Sequence, residues 1–492
     1  MSLLIFAGFL LLGAWTYRLA TNILGHLQDI PGPFINRLTN LPLKIQTLKG
    51  RRIYYVNSLH EKYGNTVRIS PTEVAFTDLL STREIHRIGS GYLKSRWYAD
   101  FTGESDESLI SPGLFAVIDP AAHAARRRLF ARAFSYSSLV DWEPLLQYRT
   151  KLAISRIKED TQRGEGKADM LKWWTFFATD MIAELAFGES FHTLENREKS
   201  AYSRDLEKIF LFSGLQVELS PLTSVLKHLP IPSIQHWLKA KQRLVSYGTV
   251  AINKHRALSD RGEIHGTLFS KAATEDKSGI KLADADIERE ASNLIVAGSD
   301  TTAITLTYLI WALLRPCHRH LKKRLQDEIN SLPEDFTSIQ AKELPFLSAV
   351  IQESLRLFGA APGSLPRVVP QDGRTLNGYP LPGGTVVSTA AYTLHRNANI
   401  FRDPLKFDPE RWFAPSQDMK DAFMPFGGGS RICIGLHLAY MELSLATAMF
   451  FRTFPSARTL ASEEEMEFEN YFVIAPRSHK CEIIIDRVLL DV

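Results

Sequence analysis

The sequence predicts a mainly α fold with a smaller β portion, on three observations. First, long stretches between Ala121 and Arg256 carry apolar residues at helical spacing with few breakers, as in Trp173 to Phe187 and Leu238 to His255. Second, Asp286 to Arg315 reads as one long, largely apolar helix. Third, the strand signals are short. Val67, Ile69, Val74 and Phe76 alternate around Ser70-Pro71 as a hairpin. Val386 and Val387 mark one further strand, and Cys481 to Ile485 another.

Each helix has its own start and stop. Asp284 is placed to cap the long helix, Asp286 and Glu288 suit its first turn, and Pro316 ends it. Leu344 to Leu357 forms another helix. Pro362, Pro366, Pro370, Pro380 and Pro382 then impose irregular and strand structure. Ile434 to Phe451 is apolar on nearly all faces, so it is a buried helix. No internal repeat or Gly/Ser linker divides the 492 residues, and residues 51–492 read as a single domain.

The charge is balanced, with 58 basic and 54 acidic residues and a net +4. That balance, with no basic run interleaved with aromatics, argues against a nucleic-acid partner. Cys317, Cys433 and Cys481 are too few for a disulfide framework and point to a reducing compartment.

Residues 1–24 read as an N-terminal membrane anchor. Leu3 to Tyr17 is uncharged and apolar, although shorter than the roughly 20 residues a spanning helix needs. Arg18 can snorkel, and Trp15 and Tyr17 suit an interface. A cleaved signal peptide is the competing reading, but it wants a basic start and a small-residue cleavage site, and neither is present. Arg18, Arg37 and Lys44 follow the apolar run, which places the body in the cytosol. Residues 25–50, with Pro31-Gly32-Pro33, form a stiff linker leading into the body.

The most informative segment is Phe426-Gly427-Gly428-Gly429-Ser430-Arg431-Ile432-Cys433-Ile434-Gly435. A helix N-terminus after the cysteine, and Arg431 two residues before it, favour a thiolate. Glycines let the backbone approach a flat partner. On these grounds alone an inert buried cysteine is the commoner outcome. The segment, however, resembles the haem-binding loop of cytochromes P-450: Phe, two residues, Gly, one residue, Arg, one residue, Cys, one residue, Gly. Phe426, Gly429, Arg431, Cys433 and Gly435 fill every fixed position. The resemblance implies the fold of that family, a haem b group, and Cys433 as the axial thiolate to its iron. It also implies Arg431 on a haem propionate, Phe426 beside the sulfur and Gly435 in the haem seat.

Ala297-Gly298-Ser299-Asp300-Thr301-Thr302 places an acid and hydroxyls inside the long helix. Such groups cost stability unless they have partners or a task. Thr301 is placed to bond back to the carbonyl of Ala297, and Gly298 leaves room over the groove. A packing seam of small residues is the plain alternative. The segment is similar to the oxygen-activation motif of the same family, which implies that Thr301 hydrogen-bonds the dioxygen under reduction and that Asp300 belongs to the proton-delivery path.

Glu353 and Arg356 share a helical face. With Pro409-Glu410-Arg411-Trp412 they look like the family's Glu-x-x-Arg and Pro-Glu-Arg elements, which implies a buried network of Glu353, Arg356 and Arg411. His123 and Arg127 resemble the family's Trp/His-x-x-x-Arg element and, with Arg367, are implied propionate partners. Arg126, Arg128 and Arg132 are further basic residues, offered here as a docking face for a reductase.

The implied reaction is insertion of one oxygen atom from dioxygen into a hydrophobic small-molecule substrate, of the kind met in secondary-metabolite biosynthesis. Electrons are expected from NADPH through a separate NADPH-cytochrome P-450 reductase, a flavoprotein. The eukaryotic microsomal, fungal flavour of the motifs implies the endoplasmic reticulum membrane. A haem-thiolate isomerase or dehydratase needing no dioxygen is the second hypothesis, and a non-catalytic haem-binding protein the third. Asp300-Thr301 argues against both. Substrate contacts are expected from Trp97 to Phe115, Phe210 to Val217, Asn293 to Ala297, Gly359 to Leu365, and near Phe472.

Overall fold

A computed structural model describes residues 20–102, 112–199, 201–219 and 283–486 continuously, with isolated positions before Ala20 and between 230 and 268. Most of the anchor segment and half of the helix expected from Leu238 to His255 lie outside the described residues, as does the middle of the stretch from Trp97 to Phe115.

Six helices position the site: α1 (Pro120–Ala131), α2 (Glu143–Arg163), α3 (Met170–Phe187), α4 (Asp284–Leu314), α5 (Pro345–Phe358) and α6 (Leu436–Thr453). Asp119 caps α1 by accepting from the Ala122 N–H, and Pro120 occupies its first turn. Helix α4 runs 31 residues, about 46 Å. Asp284 is its first residue, and the cap position is Ala283, which makes no side-chain bond there. The expected aspartate cap is therefore a first-turn acid. Arg315 and Pro316 end the helix where the sequence places the break.

By length and composition Ala285–Leu314 could cross a membrane, but 67% of its most apolar window is buried. It is the core helix of the body. Helix α3 packs along it so closely that a Cβ on Gly298 would lie 2.7 Å from Ile182 Cγ1. Gly298 thus makes room for a neighbouring helix as well as facing the groove. The main apolar core joins α3, α4, α5 and α6.

The largest sheet contains β1 (Thr66–Arg68), β2 (Glu73–Phe76), β3 (Leu93–Lys94), β4 (Arg367–Val368) and β5 (Val386–Ser388), in the order β1-β2-β5-β4-β3. The hairpin expected around Ser70-Pro71 is β1–β2, pairing Val67 with Ala75. Strand β2 runs parallel to β5. The register of β3 on β4 sets Lys94 opposite Arg367, two cations that the chain brings together from distant segments. The C-terminal strand is Glu482–Ile484, paired with Lys167–Asp169 and Arg458–Thr459.

Candidate active site: a cysteine loop facing a hydroxyl-bearing helix

The loop before α6 is built by its own backbone. The Cys433 N–H donates to the Phe426 carbonyl at 2.9 Å, and Ile432 to Gly429 at 3.2 Å. Gly429 is required there: its φ is +62°, and a Cβ would fall 1.9 Å from the His86 carbonyl oxygen. Arg127 Nη1 holds the Ile432 carbonyl at 2.8 Å. Arg431 reaches the Val117 and Ile118 carbonyls, each at 2.8 Å. Phe426 lies beside Tyr440, ring centroids 5.5 Å apart.

Cys433 is surrounded by protein, yet its surface is exposed, because the thiol opens onto a cavity of about 180 Å³. Phe426, Cys433 and Gly435 form one wall. Ala297, Gly298, Thr301, Thr302 and Thr305 of α4 form another. Burial raises the thiol pKa, against the opposing pull of the Gly435 N–H and Arg127. The helix-terminus effect expected from the sequence is present but outweighed, so a metal ion is the group that would complete the thiolate.

Around the Cys433 loop stands a cluster of basic side chains. Lys94, His123 and Arg367 are buried, and Arg127 and Arg431 half-buried. Among the described residues, none of the five has a carboxylate within 4.0 Å. Burial and then Arg431, Lys94, Arg127 and Arg367 push the His123 imidazole down to about 3. Burial and then Arg367 lower Arg431 to about 10, and burial with Arg367 and Arg431 holds Lys94 well below the usual lysine range. A cluster that repels itself so strongly fits a dianionic partner, and the two propionates of haem are such a pair. The site thus fits haem on both counts, a thiol open to the cavity and a basic cluster with no carboxylate within 4.0 Å among the described residues.

Lys94 was not among the residues singled out from the sequence. Its signal is tertiary, the strand register opposite Arg367, and no local motif marks it. Tyr98 joins the group by accepting from Arg367 Nη1 at 2.8 Å. Arg126 leaves it: this arginine is buried, at 2.9 Å from Glu290 and 3.1 Å from Asp286. It is therefore no part of a docking face, whereas Arg128 and Arg132 are exposed.

On α4, the Thr301 hydroxyl donates to the Ala297 carbonyl at 2.7 Å, the acceptor four residues back. Asp300 is half-buried on the same helix. Behind the cavity, Glu353 is fully buried and takes five donors. Arg356 Nε and Nη2 each donate at 2.8 Å, Arg411 Nε at 3.1 Å, the Asp408 N–H at 2.8 Å and Trp412 Nε1 at 3.0 Å. Glu353 is thus a satisfied acceptor in a buried network rather than half of a surface ion pair.

The second residue that the sequence reading passed over is Glu442. It is 2% exposed, lines the cavity and accepts from Thr302 Oγ1 at 2.9 Å. Burial pushes its carboxyl up to about 8 from 4.5. The folded protein therefore holds a proton that the unfolded chain releases between those values. Stability falls as pH rises from 4.5 to 8, by up to about 1.4 kcal/mol per pH unit, and levels off above. Glu442→Gln removes that slope, so the variant gains on wild type as pH rises. Denaturant midpoints at pH 5 and pH 8 read this directly; parallel shifts of the two proteins would show that Glu442 is ionised in the fold.

A helical body with a cysteine loop at one wall of a cavity, a hydroxyl-bearing helix at the other and basic side chains around the loop defines the haem-thiolate class. The chain belongs to the cytochrome P-450 family, whose sequence model matches residues 31–483. It is similar to the cytochrome P-450 monooxygenase tazI of Aspergillus terreus, 41% identical over 473 residues and 94% of each chain. It is likewise similar to the monooxygenase orf2 of Aspergillus niger, 41% identical over 94% of this chain and 93% of the other. The monooxygenase aflV of Aspergillus parasiticus is 37% identical over 96% of this chain and 94% of its own. The protein is a cytochrome P-450 monooxygenase, an oxidoreductase, and membership of the family implies haem with a cysteine thiolate.

Proposed function

We infer that the protein holds haem b through Cys433 and inserts one oxygen atom of dioxygen into a hydrophobic small molecule in secondary-metabolite biosynthesis. The observation that carries this is the cavity with Cys433 at one wall and Thr301 at the other. Haem with a thiolate ligand supplies dioxygen reduction and O–O cleavage. The protein's own groups supply the rest. Lys94, His123, Arg127, Arg367 and Arg431 hold the propionates, Phe426 shields the sulfur, and Gly435 lets α6 begin close by. The apolar walls exclude water. Asp300 and the Thr301 hydroxyl would supply, from the α4 side, the protons that dioxygen reduction consumes.

The balance is one substrate, one dioxygen, two electrons and two protons in, with one product carrying one added oxygen atom and one water out. The electrons come from NADPH through a separate flavoprotein reductase docking on the Cys433 side, where Arg128 and Arg132 offer positive charge. The test is turnover with a reductase, NADPH and isotopically labelled dioxygen across a panel of apolar metabolites. One labelled atom per product is expected. Product lacking label, or formed without NADPH, would select the isomerase or dehydratase instead.

Residues 1–24 anchor the protein to the endoplasmic reticulum membrane, with residues 25–50 as the joint and the catalytic domain in the cytosol. Large apolar side chains exposed in that joint, Phe34, Ile35, Leu41 and Ile45, support a lipid-facing surface there. Deleting residues 1–24 is expected to shift most of the protein from the membrane to the soluble fraction of a cell lysate while haem incorporation persists. Full-length protein found in the soluble fraction, or secreted with a trimmed N-terminus, contradicts the anchor.

A further inference from the structure

We propose that Glu442 is a positioning residue for oxygen activation: through Thr302 it fixes the rotation of α4 at which Thr301 faces the cavity. The inference rests on the reading that Cys433 seats haem in that cavity.

Successive residues turn by about 100° around a helix, so Thr301 and Thr302 project from different faces. The hydroxyls of this stretch divide accordingly. Ser299, Thr301, Thr305 and Thr307 each bond back to a carbonyl of their own helix, at 2.8, 2.7, 2.8 and 2.7 Å. Thr302 is the one of the five that leaves the helix, and its partner is Glu442 of α6. Back-bonding hydroxyls compete with the helical ladder and bend it, and Gly298 adds no side chain to stiffen the same turn. A locally soft helix needs an external tie if one hydroxyl is to stay aimed at a reacting centre.

Glu442 is built as that tie. A carboxyl 2% exposed is costly in a helix that otherwise buries apolar faces. Among the described residues no cation lies within 4.0 Å of it, so it is not the buried half of an ion pair. Burial keeps it protonated at neutral pH, which leaves it able to accept from Thr302 without a buried charge. Helix α6 begins three residues after Cys433. One side chain therefore couples the helix leaving the thiolate loop to the helix carrying the hydroxyl on the far wall.

The carbon–oxygen stretch of carbon monoxide on the reduced protein serves as the probe, because it senses polar groups close to the gas molecule and needs no substrate. Glu442→Gln, a neutral isostere, should keep the wild-type infrared band. Glu442→Ala and Thr302→Val should shift that band or split it in two while haem content stays near wild type. Bands unchanged in both of these variants would overturn the proposal, as would a Gln variant as perturbed as the Ala variant. If Glu442→Ala takes up no haem, Thr302→Val, which removes only the hydroxyl, decides alone. A wild-type protein with no thiolate-type carbon monoxide complex would sink the haem reading itself, an outcome distinct from either.

Discussion

Arg356→Leu is expected to cost about 3–5 kcal/mol of stability, because it strands a buried carboxylate. Arg356 is 0% exposed at its side chain, as is Glu353. Its guanidinium also donates to the carbonyls of His395 and Pro404, each at 2.6 Å, and of Lys406 at 3.1 Å. One side chain thus ties α5 to the loop that leads into Pro409-Glu410-Arg411-Trp412. Its loss leaves Glu353 short of two charge-assisted donors and three carbonyls without a partner. Arg356→Lys should rescue little, since an ammonium cannot reproduce the two-pronged contact. Denaturant unfolding and haem content of purified protein measure both. A Leu variant within about 0.5 kcal/mol of wild type, the range of ordinary surface changes, would mean that the network is incidental.

Thr301→Ala should separate binding from chemistry. Alanine is the better helix former, and the lost hydroxyl was bonded only to its own helix among the described contacts, so fold and haem content should survive. Product formed per NADPH should fall steeply, with the missing electrons recovered as peroxide or water. Loss of a positioned proton donor typically slows the affected step by about 10²–10⁴-fold. The decisive quantity is the ratio of product to NADPH consumed, with peroxide measured in the same reaction. An unchanged ratio would assign proton delivery to another group and leave Thr301 as packing.

What could be read from the chain alone was what lies in consecutive residues or one helical turn. The Cys433 loop is contiguous, Glu353 and Arg356 are three apart, and the Thr301 bond to Ala297 spans four residues. These depend on local geometry, which sequence spacing encodes. Lys94 joins the cation cluster only through the pairing of β3 with β4, and Glu442 meets Thr302 only because α6 packs on α4. Long-range register leaves no local trace. Glu442 did leave one weak signal, an acid in an otherwise apolar helix. Arg126 shows the converse error: Arg126, Arg128 and Arg132 read together as a docking face, yet packing against α4 turns Arg126 inward to Glu290 and Asp286.

The central claim is that Cys433 supplies the ligand to haem iron. It is tested by the visible spectrum of the reduced protein under carbon monoxide, compared between wild type and Cys433→Ala. The wild type should show the red-shifted band that marks a thiolate ligand, and the variant should lose it, through loss of haem or through a different ligand. A Cys433→Ala protein that keeps the band would contradict the assignment.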